Sequence, residues 1–407
     1  MLPPQSARRL PLGSRVEVTI DSLAAGGDGV ARVDGCVVFV PESAPLDRAL
    51  VEIVALGPNH VRARIVELRE PSPHRRGPAC AHFGSCGGCT WQHVSIEAQR
   101  AAKVEIVRSA LTRIGGIAAP PPIEMIGLDG YGWRARAMMR VVHAQRVRRV
   151  GFQRAHSREV EPIDDCPVLV ESLRTELGRL RDAPESIPKT AQRLHLAAGD
   201  LHVRSVFTNE EADAVGGRSA DTLVEQSIRG LAYAFDATTF FQGHRALIER
   251  LVDEAVADAR GESALDLYCG AGLFTLPLAR RFERVVGVEG HPRSIELARR
   301  NAAHNGIANA QFECRAVEAC FALEALSEGV DFVLLDPPRA GVGEIVVERI
   351  AGLAPRKVHY VSCDPATLAR DLKAFRAHGF GVVSIVALDL FPQTPHVECV
   401  VRMQRGD

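Results

Sequence analysis

The run from Ala264 to Ala279, Ala-Leu-Asp-Leu-Tyr-Cys-Gly-Ala-Gly-Leu-Phe-Thr-Leu-Pro-Leu-Ala, constrains the fold more than any other segment. An apolar strand enters a turn with Gly270 and Gly272 and leaves it as an apolar helix, and glycines there let a ligand approach the backbone. A second strand, Arg284–Glu289, ends in an acid 19 residues after Gly270. An acid near that offset commonly binds ribose hydroxyls. Two cofactor classes stay open on this pattern, NAD and S-adenosylmethionine (SAM). The NAD pattern G-x-G-x-x-G fails at its third glycine, where Thr275 stands, and Asp266 ahead of the turn suits SAM better. From about residue 234 to the end, strands alternate with helices, the mark of an α/β fold with a mostly parallel sheet.

A chain of 407 residues has room for two or three domains. No run approaches the roughly 18 apolar residues of a membrane span, and the first nine residues lack the apolar core of a signal peptide. The expected compartment is the cytoplasm, where ten cysteines read as metal ligands, catalytic groups or buried thiols, not disulfides. Only 4 of the 49 basic residues are lysine, a bias that genome composition explains as well as phosphate recognition does. Local clustering alone carries an argument about arginine.

After a tail (1–12), residues 13–70 read as short strands broken by turns, a small OB-like β-barrel of the kind that often binds nucleic acid. Pro71-Ser72-Pro73-His74 is a boundary. A central α+β region follows over 71–233, with a helix over about 95–115 that is expected to pack on the C-terminal domain, and a loop-like stretch near 183–220. Cys80, Cys86 and Cys89 form C-x5-C-x2-C, and Cys166 is a fourth candidate. Three close cysteines and a distant one resemble iron–sulfur spacing. Four-cysteine zinc is the rival, although the second short C-x2-4-C pair of most zinc sites is missing.

Four further motifs carry candidate chemistry, the first two of them where strands end. Lys357–Val361 is an apolar strand followed by Ser362-Cys363-Asp364-Pro365, which puts a thiol at the strand end, where ligands of open α/β sheets bind. A small buried hydrophobe is the bland reading of Cys363. Val330–Leu335 ends in Asp336-Pro337-Pro338-Arg339, similar to the acidic-Pro-Pro motif of amino-group methyltransferases, but with Arg339 where those place an aromatic. Glu398 lies within an apolar strand, a setting that raises a carboxylate's pKa and suits it to be a base. His396 competes for that role and a sheet-edge charge is the bland alternative. Phe240-Phe241-Gln242 offers aromatic faces for a base to stack on and an amide to read polar edges.

Taken together, Ser362-Cys363-Asp364-Pro365-Ala366-Thr367-Leu368-Ala369-Arg370-Asp371 and Asp336-Pro337-Pro338-Arg339-Ala340-Gly341 resemble the RNA uracil-C5 methyltransferases of the bacterial ribosomal-RNA type. The resemblance covers nearly the whole chain. It implies a TRAM-like barrel (13–70), a 4Fe–4S cluster on Cys80, Cys86, Cys89 and Cys166, and a Rossmann-like SAM-binding domain (234–407). It makes Cys363 the nucleophile and Glu398 the base, and puts Gln242, Tyr268, Glu289 and Asp336 around SAM. The expected substrate is RNA, large-subunit ribosomal RNA before transfer RNA, and the expected protein is a monomer. Two departures stand out: Leu273 where some relatives carry asparagine, and Pro395 where glycine is common.

Residues 131–150 hold six arginines (Arg134, Arg136, Arg140, Arg146, Arg148, Arg149) and no acid. In a strand, Arg134, Arg136 and Arg140 share one face, which suits phosphate contact or a plain solvated surface. A non-catalytic metal-containing RNA-binding protein, an NAD-dependent oxidoreductase and an amino-group methyltransferase are the rival classes. The first leaves the SAM-type turn without a purpose, the second lacks a glycine, and the third is disfavoured by Arg339.

Overall fold

The computed structural model of the chain describes residues 10–406 except 145–146, 156, 210–221 and 328. Most of the expected tail, and Arg146, lie outside the described residues.

Strands β1 (Arg15–Thr19), β2 (Ser22–Leu23), β3 (Gly29–Val33), β4 (Cys36–Val40), β5 (Arg48–Leu56) and β6 (His60–Glu70) form a six-stranded sheet in the order β1-β5-β6-β4-β3-β2. Period-two alternation builds its core: Cys36, Val38 and Val40 of β4 are buried, with Val51, Ile53 and Val61 facing them. The β3–β4 hairpin turns on Asp34-Gly35, both with positive φ, as a two-residue hairpin turn requires.

Strand β7 (Ile123–Ile126) leaves the central region and pairs in parallel with a strand of the C-terminal sheet. Strands β8 (Arg136–Ala144), β9 (Val147–Gln153), β10 (Val160–Pro162), β11 (Arg193–Ala198) and β12 (Val203–Thr208) make an antiparallel sheet in the order β10-β9-β8-β11-β12. The helix Glu171–Asp182 lays Leu173, Leu177 and Leu180 on it. The stretch expected to be loop near 183–220 thus supplies two strands. Strand β11 lies between two neighbours with five of its six residues buried, so it lacks the alternation that marks a half-exposed strand. The hairpin β13 (Leu223–Ile228) and β14 (Leu231–Asp236) leads into the C-terminal domain.

There, β15 (Gly261–Leu267), β16 (Phe282–Glu289), β17 (Ala310–Cys314), β18 (Phe332–Leu335), β19 (Lys357–Ser362), β20 (Phe380–Leu388) and β21 (Glu398–Arg405) join β7 in one sheet, ordered β17-β16-β15-β18-β19-β21-β20-β7. Strands β15 to β19 run parallel; β21 alone opposes both of its neighbours. Leu265, Leu267, Val333 and Leu335 face one apolar layer, and Ala264, Phe332 and Leu334 the other. The helix Ile96–Arg113 packs on this domain, with Val107 and Leu111 in the layer that holds Leu368 and Leu372. No described helix is long and apolar enough to cross a membrane.

Candidate active site

Because β15, β16, β18 and β19 are parallel, their carboxyl ends share one edge of the sheet. Tyr268, Glu289, Asp336 and Cys363 stand at those four ends. The reversed direction of β21 brings its first residue to the same edge. Ser362 pairs with Cys399, so one further step along the ladder sets Cys363 level with Glu398. Facing residues of an antiparallel pair lie roughly 5 Å apart. Thirty-five residues of sequence separate two groups that the sheet makes neighbours.

Cys363 is half-buried, directly before the helix Pro365–Ala377. Asp364 caps that helix, accepting from the N–H groups of Ala366 (3.0 Å) and Thr367 (2.9 Å). Burial pushes the Cys363 thiol up to about 11, the nearby charge of Glu398 adds to this, and the Arg339 guanidinium opposes it. Glu398 is buried, and its carboxyl is held well above the usual range by burial and then by Asp336, again with Arg339 opposing. Burial raises Asp336 to about 7 against a hydrogen bond from Gln242. A carboxyl so raised can hold or take a proton near neutrality. His396, the competing base, is pushed down to about 4 by burial and by Arg339, whose guanidinium donates to its Nε2 at 3.3 Å. Its free lone pair already has a donor, and it would be a feeble base.

The glycine turn has the shape a nucleoside ligand needs. Gly270 (φ +55°) and Gly272 (φ +88°) are left-handed, and a Cβ on Gly270 would meet open space. Tyr268, at φ +63°, is a strained non-glycine position at the strand end. Glu289 accepts from the N–H groups of His291 (2.8 Å) and Gly270 (3.3 Å), which fixes a carboxylate beside the turn. Asp266 lies underneath, buried and raised to about 8, with Thr275 Oγ1 donating to one oxygen at 2.5 Å and the other oxygen unpartnered. Carboxylates, free space over glycine and an unmet polar atom fit SAM, with its hydroxyl and ammonium donors. The Leu273 side chain points into the apolar core and its carbonyl accepts from Tyr233 (3.1 Å), so the departure at this position is a packing matter.

Cys80, Cys86, Cys89 and Cys166 line one small cavity, with Arg134 beside them. Burial, with the charges of the other cysteines adding to it, raises the thiols of Cys89 and Cys166 to about 11 and about 12. Gly87 presses on the backbone of the next sheet, where a Cβ would lie 2.8 Å from the Gln153 carbonyl. Among the described residues, no three His, Cys, Asp or Glu side chains converge as ligands of a single ion.

A cleft of about 680 Å³ extends from Gly88 and Cys89 to Arg339 and His396, with Arg134, Arg136, Arg140 and Phe240 among its other walls. Phe240 stands 77% exposed at its rim. The three arginines do share a face, but their chemistry differs. Arg136 is not free to meet phosphate: its guanidinium donates to the carbonyls of Ala237 (3.0 Å) and Thr239 and lies 5.1 Å over the Phe235 ring. Arg134 lies over Trp133 and Phe152 and donates to the Arg136 carbonyl. Arg140 is exposed. Beyond 140, Arg149 pairs with Asp164 and Arg148 donates to the Glu185 carbonyl.

Sequence reasoning passed over the supports of the β20–β21 loop. Asp389 is fully buried against Lys103 (2.5 Å), and Gln393 is fully buried against Gln99 (2.9 Å). One signal was present: a lysine on the apolar face of a helix, in a chain with only 4 lysines, demands a buried acid.

The sheet order, the strand-end carboxylates and the glycine turn are those of a SAM-dependent methyltransferase. Residues 220–406 match the family model described as tRNA (Uracil-5-)-methyltransferase, and residues 9–66 match the TRAM domain. A 23S rRNA (uracil(1939)-C(5))-methyltransferase of Alkalilimnicola ehrlichii is 35% identical over 98% of both chains. An RNA methyltransferase of Gloeobacter violaceus is 35% identical over 97% of both. The crystal structure of a Pyrococcus abyssi tRNA (uracil-54, C5)-methyltransferase with S-adenosyl-L-homocysteine superposes with a TM-score of 0.74 at 26% identity, over 95% of this chain and 99% of that one. The chain belongs to the RNA uracil-C5 methyltransferase family and uses SAM as its methyl donor.

Proposed function

We propose that this enzyme methylates C5 of a uridine in 23S ribosomal RNA, with Cys363 as nucleophile and Glu398 as the base. The observation that carries this is the register of β19 with β21, which sets a thiol level with a buried, high-pKa carboxyl at the ligand-binding edge of the sheet. The choice of 23S over transfer RNA rests on the relatives that match end to end.

Uracil C5 is a weak nucleophile. The Cys363 thiolate adds to C6, and the electron pair of the C5=C6 bond moves toward C5 and the C4 carbonyl. Bound SAM supplies an electrophilic methyl group, held by Gln242, Tyr268, Gly270, Gly272, Glu289 and Asp336. Once C5 carries the methyl, Glu398 accepts the C5 proton. The C–H electron pair restores the double bond and the thiolate leaves, so covalent catalysis divides one hard step into easier ones. Arg339, which opposes the rise of both pKa values, favours the charged forms of both groups. The uridine must leave its stack to present both faces, and exposed Phe240 offers a ring to receive it or its neighbour. Arg134 and Arg140 line the cleft.

The four cysteines suit a 4Fe–4S cluster. They share one cavity, burial disfavours bare thiolates, and cationic metal would hold them ionised. Three close cysteines and a distant one match iron–sulfur spacing better than the paired short C-x2-4-C units of most zinc sites. A monomeric enzyme in the cytoplasm completes the reading.

RNA carrying 5-fluorouridine has no C5 proton to lose and should form a covalent complex with the wild type and none with Cys363→Ala. Glu398→Gln should accumulate an adduct on ordinary RNA. Release of methylated RNA by Glu398→Gln at the wild-type rate would sink the base assignment. Tenfold better use of transfer RNA than of 23S fragments would sink the choice of substrate.

A further inference from the structure

Glu398 enters the site at the end of the loop from Asp389 to Val397, and that loop is fastened from outside its own sheet. Gln393 is the fastening point. It is fully buried and sits at φ +68°, a left-handed backbone that is strained for a non-glycine residue. Strain of that kind persists only where the surroundings over-determine it. All four of its polar groups are engaged. The backbone N–H donates to Gln99 Oε1 (2.9 Å), and the carbonyl accepts from the N–H groups of Thr90 and Trp91 (3.0 Å each). The side-chain oxygen accepts from Gln99 Nε2 (2.9 Å), and the side-chain amide donates to the Gly130 carbonyl (3.3 Å).

The partners matter more than their number. Thr90 and Trp91 follow Cys89 directly in sequence, and Gln99 opens the helix that continues from that segment. Gln99 Nε2 also reaches the Trp91 carbonyl (2.9 Å), so one amide spans the cysteine segment and the catalytic loop. One turn further along the helix, Lys103 holds Asp389 (2.5 Å) and the Phe391 carbonyl (3.0 Å). Within the loop, Thr394 bonds back to the Phe391 carbonyl (2.7 Å) and receives the His396 N–H (3.3 Å), two residues short of Glu398.

We propose that Gln99 and Gln393 are positioning residues for the carboxylate of Glu398, and that through them the cysteine loop governs removal of the C5 proton. The inference rests on the assignment of Glu398 as the base. Displacing a catalytic group by about 1 Å costs roughly 100-fold in rate, so loosening this fastening slows one step selectively. Cys363 and the residues around SAM stand outside the loop, whereas Glu398 follows directly on it, so loosening the loop bears first on proton removal.

The test uses full-length Gln99→Met, with its metal content checked against wild type, on a 23S rRNA fragment. Turnover falls about 10- to 100-fold. SAM affinity is unchanged, the methylated RNA–protein adduct accumulates on denaturing gels, and a deuterium label at C5 slows the variant more than the wild type. Hydrogen exchange quickens in 389–398 and not in the glycine turn. Gln393→Gly, a residue at ease at φ +68°, removes the amide contacts without adding strain and gives the same pattern should Gln99→Met be poorly folded. A fall in rate with no adduct and no larger isotope effect overturns the proposal. Glu398→Gln run alongside separates the two readings: if it fails to trap adduct, the base assignment has failed, and if it traps while Gln99→Met and Gln393→Gly do not, only the positioning role has.

Discussion

The free enzyme should hold Cys363 as a neutral thiol at neutral pH. Burial and the Glu398 carboxylate place its pKa at about 11. Relative to an ordinary cysteine near 8.5, the thiolate fraction at pH 7.5 is about 300-fold smaller, roughly 3 in 10,000. A more basic thiolate is a better nucleophile, and a Brønsted slope near 0.45 over 2.5 units returns about 13-fold, leaving a net deficit of about 20-fold. The assay is reaction with a small aromatic disulfide in the absence of RNA and SAM, followed by mass spectrometry of the peptide that carries Cys363. The rate should rise about tenfold per pH unit from pH 6.5 to 10, a slope that does not depend on how accessible the thiol is. Glu398→Gln, which removes the second cause of the shift, should move the profile to lower pH. Arg339→Met, which removes the opposing charge, should move it higher. A plateau already reached by pH 8 would refute the reasoning, because it would mean that the helix at Pro365 and Arg339 outweigh burial. The large activation the reaction requires would then be present before substrate arrives.

Other outcomes follow from the same geometry. Lys103→Met should cost about 3–5 kcal/mol in denaturant titrations, the penalty for orphaning a buried acid, and Lys103→Met with Asp389→Leu should recover most of it; both side chains are fully buried, although Arg100 also reaches Asp389 at 3.3 Å. His359 is buried and pushed down to about 4, its Nδ1 against the Ala255 carbonyl. With a folded pKa below the unfolded 6.5, its stabilising contribution is complete above about pH 6.5 and is lost as pH falls toward 4, by up to about 3 kcal/mol, so His359→Gln should flatten the acid limb of a stability–pH curve. Arg140→Ala should weaken RNA binding and lower the slope of log affinity against log salt by about 1, whereas Arg136→Ala should lower the melting temperature through loss of its carbonyl partners.

Local pattern was enough for the elements that end in chemistry. Strand, glycine turn and acid could be read at 264–289 because a turn at positive φ needs glycine and a buried parallel strand needs an unbroken apolar run. The cysteine spacing, the alternating barrel strands and the thiol after β19 were legible for the same reason: each is a property of a few adjacent residues. Strands β11 and β12 were not: β11 is buried on both faces and the edge strand β12 is half-buried along nearly all its length, so neither shows the two-residue alternation that sets a strand apart from loop or helix. Nor was the difference between Arg136 and Arg140, two residues on one face of one strand, since what separates them is the hairpin end that packs over the first.

What the amino-acid order settled alone is therefore an inventory: a nucleoside-binding turn, a thiol at a strand end, a carboxylate in an apolar strand, four cysteines. Only the tertiary structure brings the turn, the thiol and the carboxyl to one edge of the sheet and gathers the cysteines in a cavity of their own. An antiparallel strand inserted into a parallel sheet sets Glu398 level with Cys363, and a helix from another part of the chain fastens the loop between them through Gln99 and Lys103. The physical reason is that pKa and proximity are fields of the surroundings. A carboxyl becomes a base near neutrality only when burial and neighbouring charge act on it, and those neighbours come from strands that sequence distance keeps apart.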